Sequence, residues 1–311
     1  MTDYDSFKIR LAWLVPWDEM SYSLFMKNPM LLTHPSPTWY TISRDGDILG
    51  TADEMIINTA KKFKLRLIPL ISNHEKSVGF SRALFQDFIS NRSAIDNFIS
   101  QLKYLKRKFG YSGFNLDFEN IPPATSTKLV ALLREIKSEL PDIELSIDVP
   151  PRVDSVGLDW FRAFDYSEIS KVVDFIVIMA YDYHYATSSP GPVTPTFWLR
   201  QVINYAKFRV PLEKIVIGLP LYGYDWAEDR PGVGVSVFKA EELLKASKAS
   251  RSMDNESLEY YFEYFDDNNI RHTVFYQNYN ALKNRLKILA KASIQGIAFW
   301  YWGAAPLEWF I

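Results

Sequence analysis

The sequence predicts an α/β fold, a (β/α)8 TIM barrel with a small α+β insertion between its seventh strand and the helix that follows. Three observations predict it. Short apolar runs recur eight times between longer segments of helical period, the pattern of repeated βα units around a parallel sheet. No Gly-rich phosphate loop follows the first run, which argues against an open doubly wound sheet. One connection is much longer than the rest and has secondary-structure patterning of its own. At 311 residues and 48% hydrophobic content, the chain is long enough to bury one large core, and residues 1–311 are read as a single catalytic domain.

The eight runs are residues 11–16, 38–43, 65–71, 113–118, 144–149, 173–179, 214–220 and 296–302. The third and fourth are separated by an amphipathic helix in which Ala94, Ile95, Phe98, Ile99, Leu102 and Leu105 repeat at three- and four-residue steps, with Ser93 as its expected N-cap. Further helices fit residues 126–140, 158–171, 197–208 and 280–292. The long connection, 222–276, combines a helical stretch at 237–249 with the alternation Leu258, Tyr260, Phe262, Tyr264. The turn Asp266-Asp267-Asn268-Asn269 then leads into a second strand-like run at 271–276. It is expected to wall one side of the barrel mouth.

Composition removes several classes of chemistry. With 35 Lys plus Arg against 37 Asp plus Glu, the formal charge of −2 offers no field to recruit nucleic acid. The absence of cysteine excludes thiolate catalysis, disulfides and Cys-ligated metal. His34, His74, His184 and His272 show no paired spacing that suits a metal centre, so no metal or organic cofactor is expected. His34, His74 and His272 read as local hydrogen-bonders, and His184 as a candidate cleft residue. No run is long enough to span a membrane and no export signal is visible at the start, which leaves the location unassigned. Two N-glycosylation triplets, beginning at Asn91 and Asn255, are given no role.

The chemistry concentrates in the fourth run. In Gly113-Phe114-Asn115-Leu116-Asp117-Phe118-Glu119, period two sends Phe114, Leu116 and Phe118 to one side and Asn115, Asp117 and Glu119 to the other. A barrel strand has helices outside, so the polar row points inward, where two carboxylates are costly unless they serve a function. Glu119 stands at the C-terminal end of the strand, where barrel enzymes carry catalytic groups.

These residues resemble the fourth-strand signature of the family 18 glycoside hydrolases, Asp-x-x-Asp-x-Asp-x-Glu, with Ser112, Asn115, Asp117 and Glu119 at its four named positions. Met179-Ala180-Tyr181-Asp182 is similar to the family's sixth-strand Met-x-Tyr-Asp, and Gly296-Ile297-Ala298-Phe299-Trp300 to its eighth-strand segment. Asn115, residues 190–195 and residues 218–223 look most like the branch of spore-cortex-lytic N-acetylglucosaminidases, without the LysM modules these often carry.

The resemblance implies a retaining reaction in which the substrate's own acetamido group is the nucleophile. It makes Glu119 the general acid and base, Asp117 the orienting carboxylate and Tyr181 a donor to the acetamido oxygen. Asn115, Met179, Asp182, Trp300 and Tyr222 shape the sugar site. The implied substrate is a polysaccharide or oligosaccharide containing β-1,4-linked N-acetylglucosamine, more peptidoglycan-like than crystalline chitin. Alternatives are a chitinase acting on chitooligosaccharides and a non-catalytic glycan-binding barrel. Two departures stand out: Asn115 replaces an acid, and Asp148 occupies the fifth strand where relatives place a small residue. Asp148 either faces inward and returns the missing charge to the site, or meets a surface Arg or Lys. Trp17, Trp39, Trp226 and Trp302 lie near run ends where sugar stacking is conceivable, but core packing is expected for each.

Overall fold

The computed structural model describes residues 3–153 and 158–311. Eight parallel barrel positions are filled in chain order by Ile9–Leu14, His34–Pro37 with Tyr40–Ile42, Leu70–Ser72, Gly113–Asp117, Glu144–Val149, Phe175–Met179, Ile215–Pro220 and Gly296–Trp302. The ladder runs from His34–Pro37 through the first, eighth, seventh, sixth, fifth, fourth and third positions to Tyr40–Ile42, which also carries the short antiparallel strand Ile48–Gly50. His34–Pro37 and Tyr40–Ile42 are two halves of one segment, so the sheet closes on itself. Backbone bonds from Arg66 N–H to Thr33 C=O (2.9 Å) and from Ile68 N–H to Pro35 C=O (3.2 Å) extend the closure below the third strand.

The second strand is where expectation and structure diverge. It begins at His34 rather than residue 38, because Pro35 and Pro37 sit in register with Ala12 and Leu14 on the neighbouring parallel strand. Proline supplies no ladder N–H, which hides the strand from pattern reading and leaves it broken at residues 38 and 39. The third run likewise narrows to Leu70–Ser72 as a ladder strand.

The outer layer follows helical period. Helix Arg92–Phe109 buries Ala94, Phe98, Ile99, Leu102 and Leu105. Its N-cap is Asn91 rather than Ser93: the Asn91 side-chain oxygen accepts from the N–H groups of Ser93 and Ala94, satisfying two orphan donors of the first turn. Gly110 ends it at φ 72°, a left-handed turn that glycine adopts without strain. The helix expected over 158–171 is instead a 3₁₀ turn, Asp159–Ala163, and a short helix, Tyr166–Ser170. Asp165 caps the N–H of Glu168 and so restarts the chain mid-segment. Just past the fourth strand, Phe118 packs outward on Phe85, with ring centroids 5.2 Å apart, leaving the alternate residues to the interior.

Directly after the seventh strand, Tyr222–Ala227 pairs antiparallel with both Arg230–Ser236 and Arg271–Tyr276, the latter continuing through Tyr260–Phe265 to Ser252–Met253. Helix Val237–Ser247 completes this small α+β unit. Among the described residues, no helix is long and apolar enough to cross a membrane.

Candidate active site

Trp13, Ser36, Asn115, Ser146 and Asp148 form a polar floor across the barrel interior. Asn115 is fully buried. Its side-chain oxygen accepts from Trp13 Nε1–H (3.0 Å) and Ser36 Oγ–H (3.2 Å), and its nitrogen donates to Asp148 Oδ1 (2.8 Å). Asp148 therefore faces inward, at 2% exposure, and does not meet a surface cation.

Above the floor opens a cavity of about 790 Å³ lined by Asp117, Glu119, Asp148, Met179, Tyr181, Asp182 and Trp300, with an aromatic wall that includes Trp13, Trp160, Phe161, Tyr183, Phe197 and Trp198. Four of the described lining residues are acids, and none is Lys, Arg or His. Without a cation, low-water surroundings favour the neutral acids. Burial pushes Asp117 up to about 7. Burial, together with the charges of Asp117, Asp148 and Asp182, holds Glu119 well above the ordinary glutamate range. Burial and Asp117 likewise raise Asp148, against the opposing hydrogen bond from Asn115. Asp117 Oδ1 is buried with no hydrogen-bond partner, so an acceptor stands ready for an N–H at this point.

Glu119 is held by its backbone. Asn73 accepts from the Glu119 N–H and donates to the Glu119 C=O, both at 2.9 Å, and Asn120 at φ 53° turns the chain away directly afterwards. Asp182, at φ 60°, occupies a left-handed position that Asp tolerates better than most residues. Its carboxylate accepts from the hydroxyls of Tyr222 and Tyr224. Burial raises Asp182 to about 6 in spite of these two bonds. Gly218 leaves space for the Tyr181 ring: a Cβ there would approach Tyr181 Cε1 to 3.3 Å and the Ile178 carbonyl oxygen to 3.1 Å. Trp300 packs edge-on against Trp13 at 5.6 Å between centroids, and a cis peptide joins it to Tyr301.

The segment after the sixth strand is anchored from behind. Glu259 accepts from the backbone N–H groups of Val193 and Thr194 and pairs with Arg285, while Thr194 Oγ1 donates to the Ala180 carbonyl at 3.0 Å. A residue of the insertion and one of the last long helix thus hold the loop that carries Tyr181 and Asp182.

Asp117, Glu119, Tyr181, Met179, Asp182 and Trp300 converge on one cavity, and Asp148 joins them there. Asn115 and Tyr222 do not reach it. Asn115 lies within the floor with both ends of its amide engaged, and Tyr222 stands behind Asp182, so each bears on the cavity through a carboxylate. His184 is not a lining residue; its Nδ1 lies 2.9 Å from the Ser189 carbonyl oxygen. Trp39, Trp226 and Trp302 are buried, whereas Trp17 is exposed, against the packing expectation, and lines no part of this cavity. Pattern reading passed over Asn73, Trp13 and the Glu259–Arg285 pair. Only Trp13 had a local signal, since it sits on the first strand at the same alternation as Leu11, and only the closed barrel shows which side that is.

The family model for Glycosyl hydrolases family 18 matches residues 41–304. The chain belongs to that family. It is 31% identical over 281 residues to a Bacillus subtilis (strain 168) protein named as the sporulation-specific glycosylase YdhD, covering 88% of this chain and 66% of that one. It thus spans about two thirds of that relative's length. The crystal structure of the Bacillus cereus spore cortex-lytic enzyme SleL superposes with TM-score 0.88 at 27% identity, covering 97% of this chain and 72% of that one. A chitinase from Chromobacterium violaceum shares the fold, with TM-score 0.89 at 21% identity over 97% of this chain and 96% of that one.

Proposed function

We propose that this family 18 glycosidase cleaves β-1,4 bonds in a peptidoglycan-like, N-acetylglucosamine-containing glycan by a retaining, substrate-assisted reaction. The observation that carries the proposal is that Glu119 and Asp117 line one aromatic-walled cavity with no Lys, Arg or His among its described lining residues. Burial and the neighbouring acids raise the Glu119 pKa, which favours the protonated form that a general acid requires. The aromatic wall suits the apolar faces of pyranose rings, and the cortex-lytic and sporulation names of the relatives above support the choice of glycan.

In the first step the acetamido oxygen attacks the anomeric carbon, the glycosidic C–O bond breaks, and the leaving oxygen takes the Glu119 proton. The unpartnered Asp117 Oδ1 accepts the acetamido N–H, orienting the group and offsetting the positive charge that forms on it. Tyr181 donates to the acetamido oxygen, and Trp300 supports the sugar face. In the second step water gives a proton to the Glu119 carboxylate as its oxygen bonds to the anomeric carbon. The bond to the acetamido oxygen breaks, and configuration is retained.

The test uses two matched polymers, one N-acetylated and one with free amines, with the new reducing ends followed by proton NMR. The proposal expects cleavage of the acetylated polymer alone, with the β-anomer appearing first. Cleavage of both at similar rates, or an initial α-anomer, contradicts it.

A further inference from the structure

We propose that Asp148 is the proton partner of Asp117, so that the second carboxylate of this site comes from the fifth barrel strand in place of one at position 115. This rests on the reading of Asp117 given above and adds a residue that acts through it.

Three observations carry the inference. First, position 115 is chemically closed. The Asn115 oxygen already accepts from Trp13 and Ser36, so the amide cannot reverse without losing both bonds, and its nitrogen is committed to Asp148. Second, the register brings the acids together. Leu116 lies opposite Ile147, and Asp117 and Asp148 are the next residues on these two parallel strands, both lining the same cavity. Third, no positive group among the described residues faces them. The groups that act on Asp148 are Asn115 and Asp117 on the fourth strand and Trp13 on the first. Asp148 in turn acts on Glu119, just beyond the fourth strand, and on Tyr181, after the sixth.

Two adjacent buried acids without a cation do not both ionise. They hold one proton between them. Asp117 Oδ1 has no hydrogen-bond partner, so when the substrate's acetamido N–H arrives there the ionised form of Asp117 is favoured and the proton stays with Asp148: Asp117 is the carboxylate that faces the developing positive charge, and Asp148 the neutral acid. Asp148 is thus a positioning residue that sets the charge of Asp117, and Asn115 orients it.

The test is a carboxyl carbon-13 NMR titration of the substrate-free protein, paired with kinetics. In the wild type, the pair is expected to ionise in two apparent steps more than about two pH units apart. Asp148→Asn leaves a single Asp117 step. Asp148→Ala does the same, which separates loss of charge from loss of shape. The double variant Asn115→Asp/Asp148→Asn returns the acid to the fourth strand and restores two steps. In kinetics, Asp148→Asn lowers kcat on the order of tenfold to a hundredfold with KM nearly unchanged, and the double variant recovers most of that loss.

An Asp117 titration identical in wild type and Asp148→Asn overturns the inference, as does a kcat loss that Asn115→Asp fails to rescue. The titration needs no substrate. If it behaves as described while the wild type cuts no glycan, the proposed function fails and the proton pair stands; if the enzyme cuts but the titration ignores position 148, the reverse holds.

Discussion

The Arg285 guanidinium and the Glu259 carboxylate meet at 2.5 Å in a place closed to water, with exposures of 1% and 0%. The pair joins the last long helix to the insertion. Because Glu259 also receives the N–H groups of Val193 and Thr194, it ties the loop after the sixth strand to both. Removing one partner of a buried pair leaves the other uncompensated, at a cost of about 3–5 kcal/mol. Glu259→Gln is therefore expected to lower the urea midpoint strongly, and to lower kcat more than the stability loss alone explains, because Tyr181 and Asp182 lose their support. Replacing both partners with methionine is expected to cost less than either single change. Urea unfolding of Glu259→Gln, the two single methionine variants and the double variant, with m-values compared, checks this.

Asn73 holds the Glu119 backbone at both its N–H and its C=O. Asn73→Ala removes one donor and one acceptor from the Glu119 backbone and is expected to cost about 1–3 kcal/mol in stability. It should also reduce kcat by about 10²-fold, since small displacements of a reacting group are costly. KM should change little. Steady-state kinetics on a soluble oligosaccharide separates the two parameters.

The site acids make the fold sensitive to pH. Burial pushes Asp117 up to about 7 in the folded state, above its ordinary value of 3.8, so the folded protein binds this proton more tightly than the unfolded chain. The contribution to stability is full below pH 4 and is lost as pH rises through about 7. Asp117→Asn removes that loss. It is expected to raise Tm at pH 7.5 by a few degrees, to change it little at pH 4.5, and to abolish turnover. Thermal melts at the two pH values test the sign.

Asp182 is one of the charges that hold the Glu119 proton. Asp182→Asn takes away a like charge, so the Glu119 pKa falls and the alkaline limb of kcat/KM moves toward lower pH, by about one unit or less. Tyr222→Phe removes a donor to the same carboxylate, favours its neutral form, and is expected to move that limb in the same direction by a smaller step. Full pH–rate profiles of both variants measure the shifts.

Much of this was legible in the sequence because strand and helix periods are local. The alternation from Phe114 to Glu119 announces an inward polar row, whereas Asp148 was open between the barrel and the surface until the Asn115 bond placed it. The second strand was obscured because Pro35 and Pro37 contradict the pattern they join, and the segment from Leu158 to Lys171 because Asp165 restarts the helix within an apolar stretch. Long-range partners leave no periodic trace. Asn73 meets Glu119 across 46 positions, and Glu259 meets Arg285 across 26; only the closed barrel and the docked insertion bring these atoms together. For the same reason Asn115 and Tyr222 read as sugar contacts: sequence places them next to the site, but not at which depth.

The most direct measurement replaces one atom of the acid. Wild type and Glu119→Gln are incubated with peptidoglycan and with chitooligosaccharides, and the released ends are identified by mass. Loss of the proton donor is expected to slow cleavage of the preferred glycan by about 10²- to 10⁴-fold, with binding of that glycan nearly unchanged. Equal cutting by the two proteins would remove Glu119 from its role, and sugar bound but left whole by the wild type would make the barrel a glycan-binding protein.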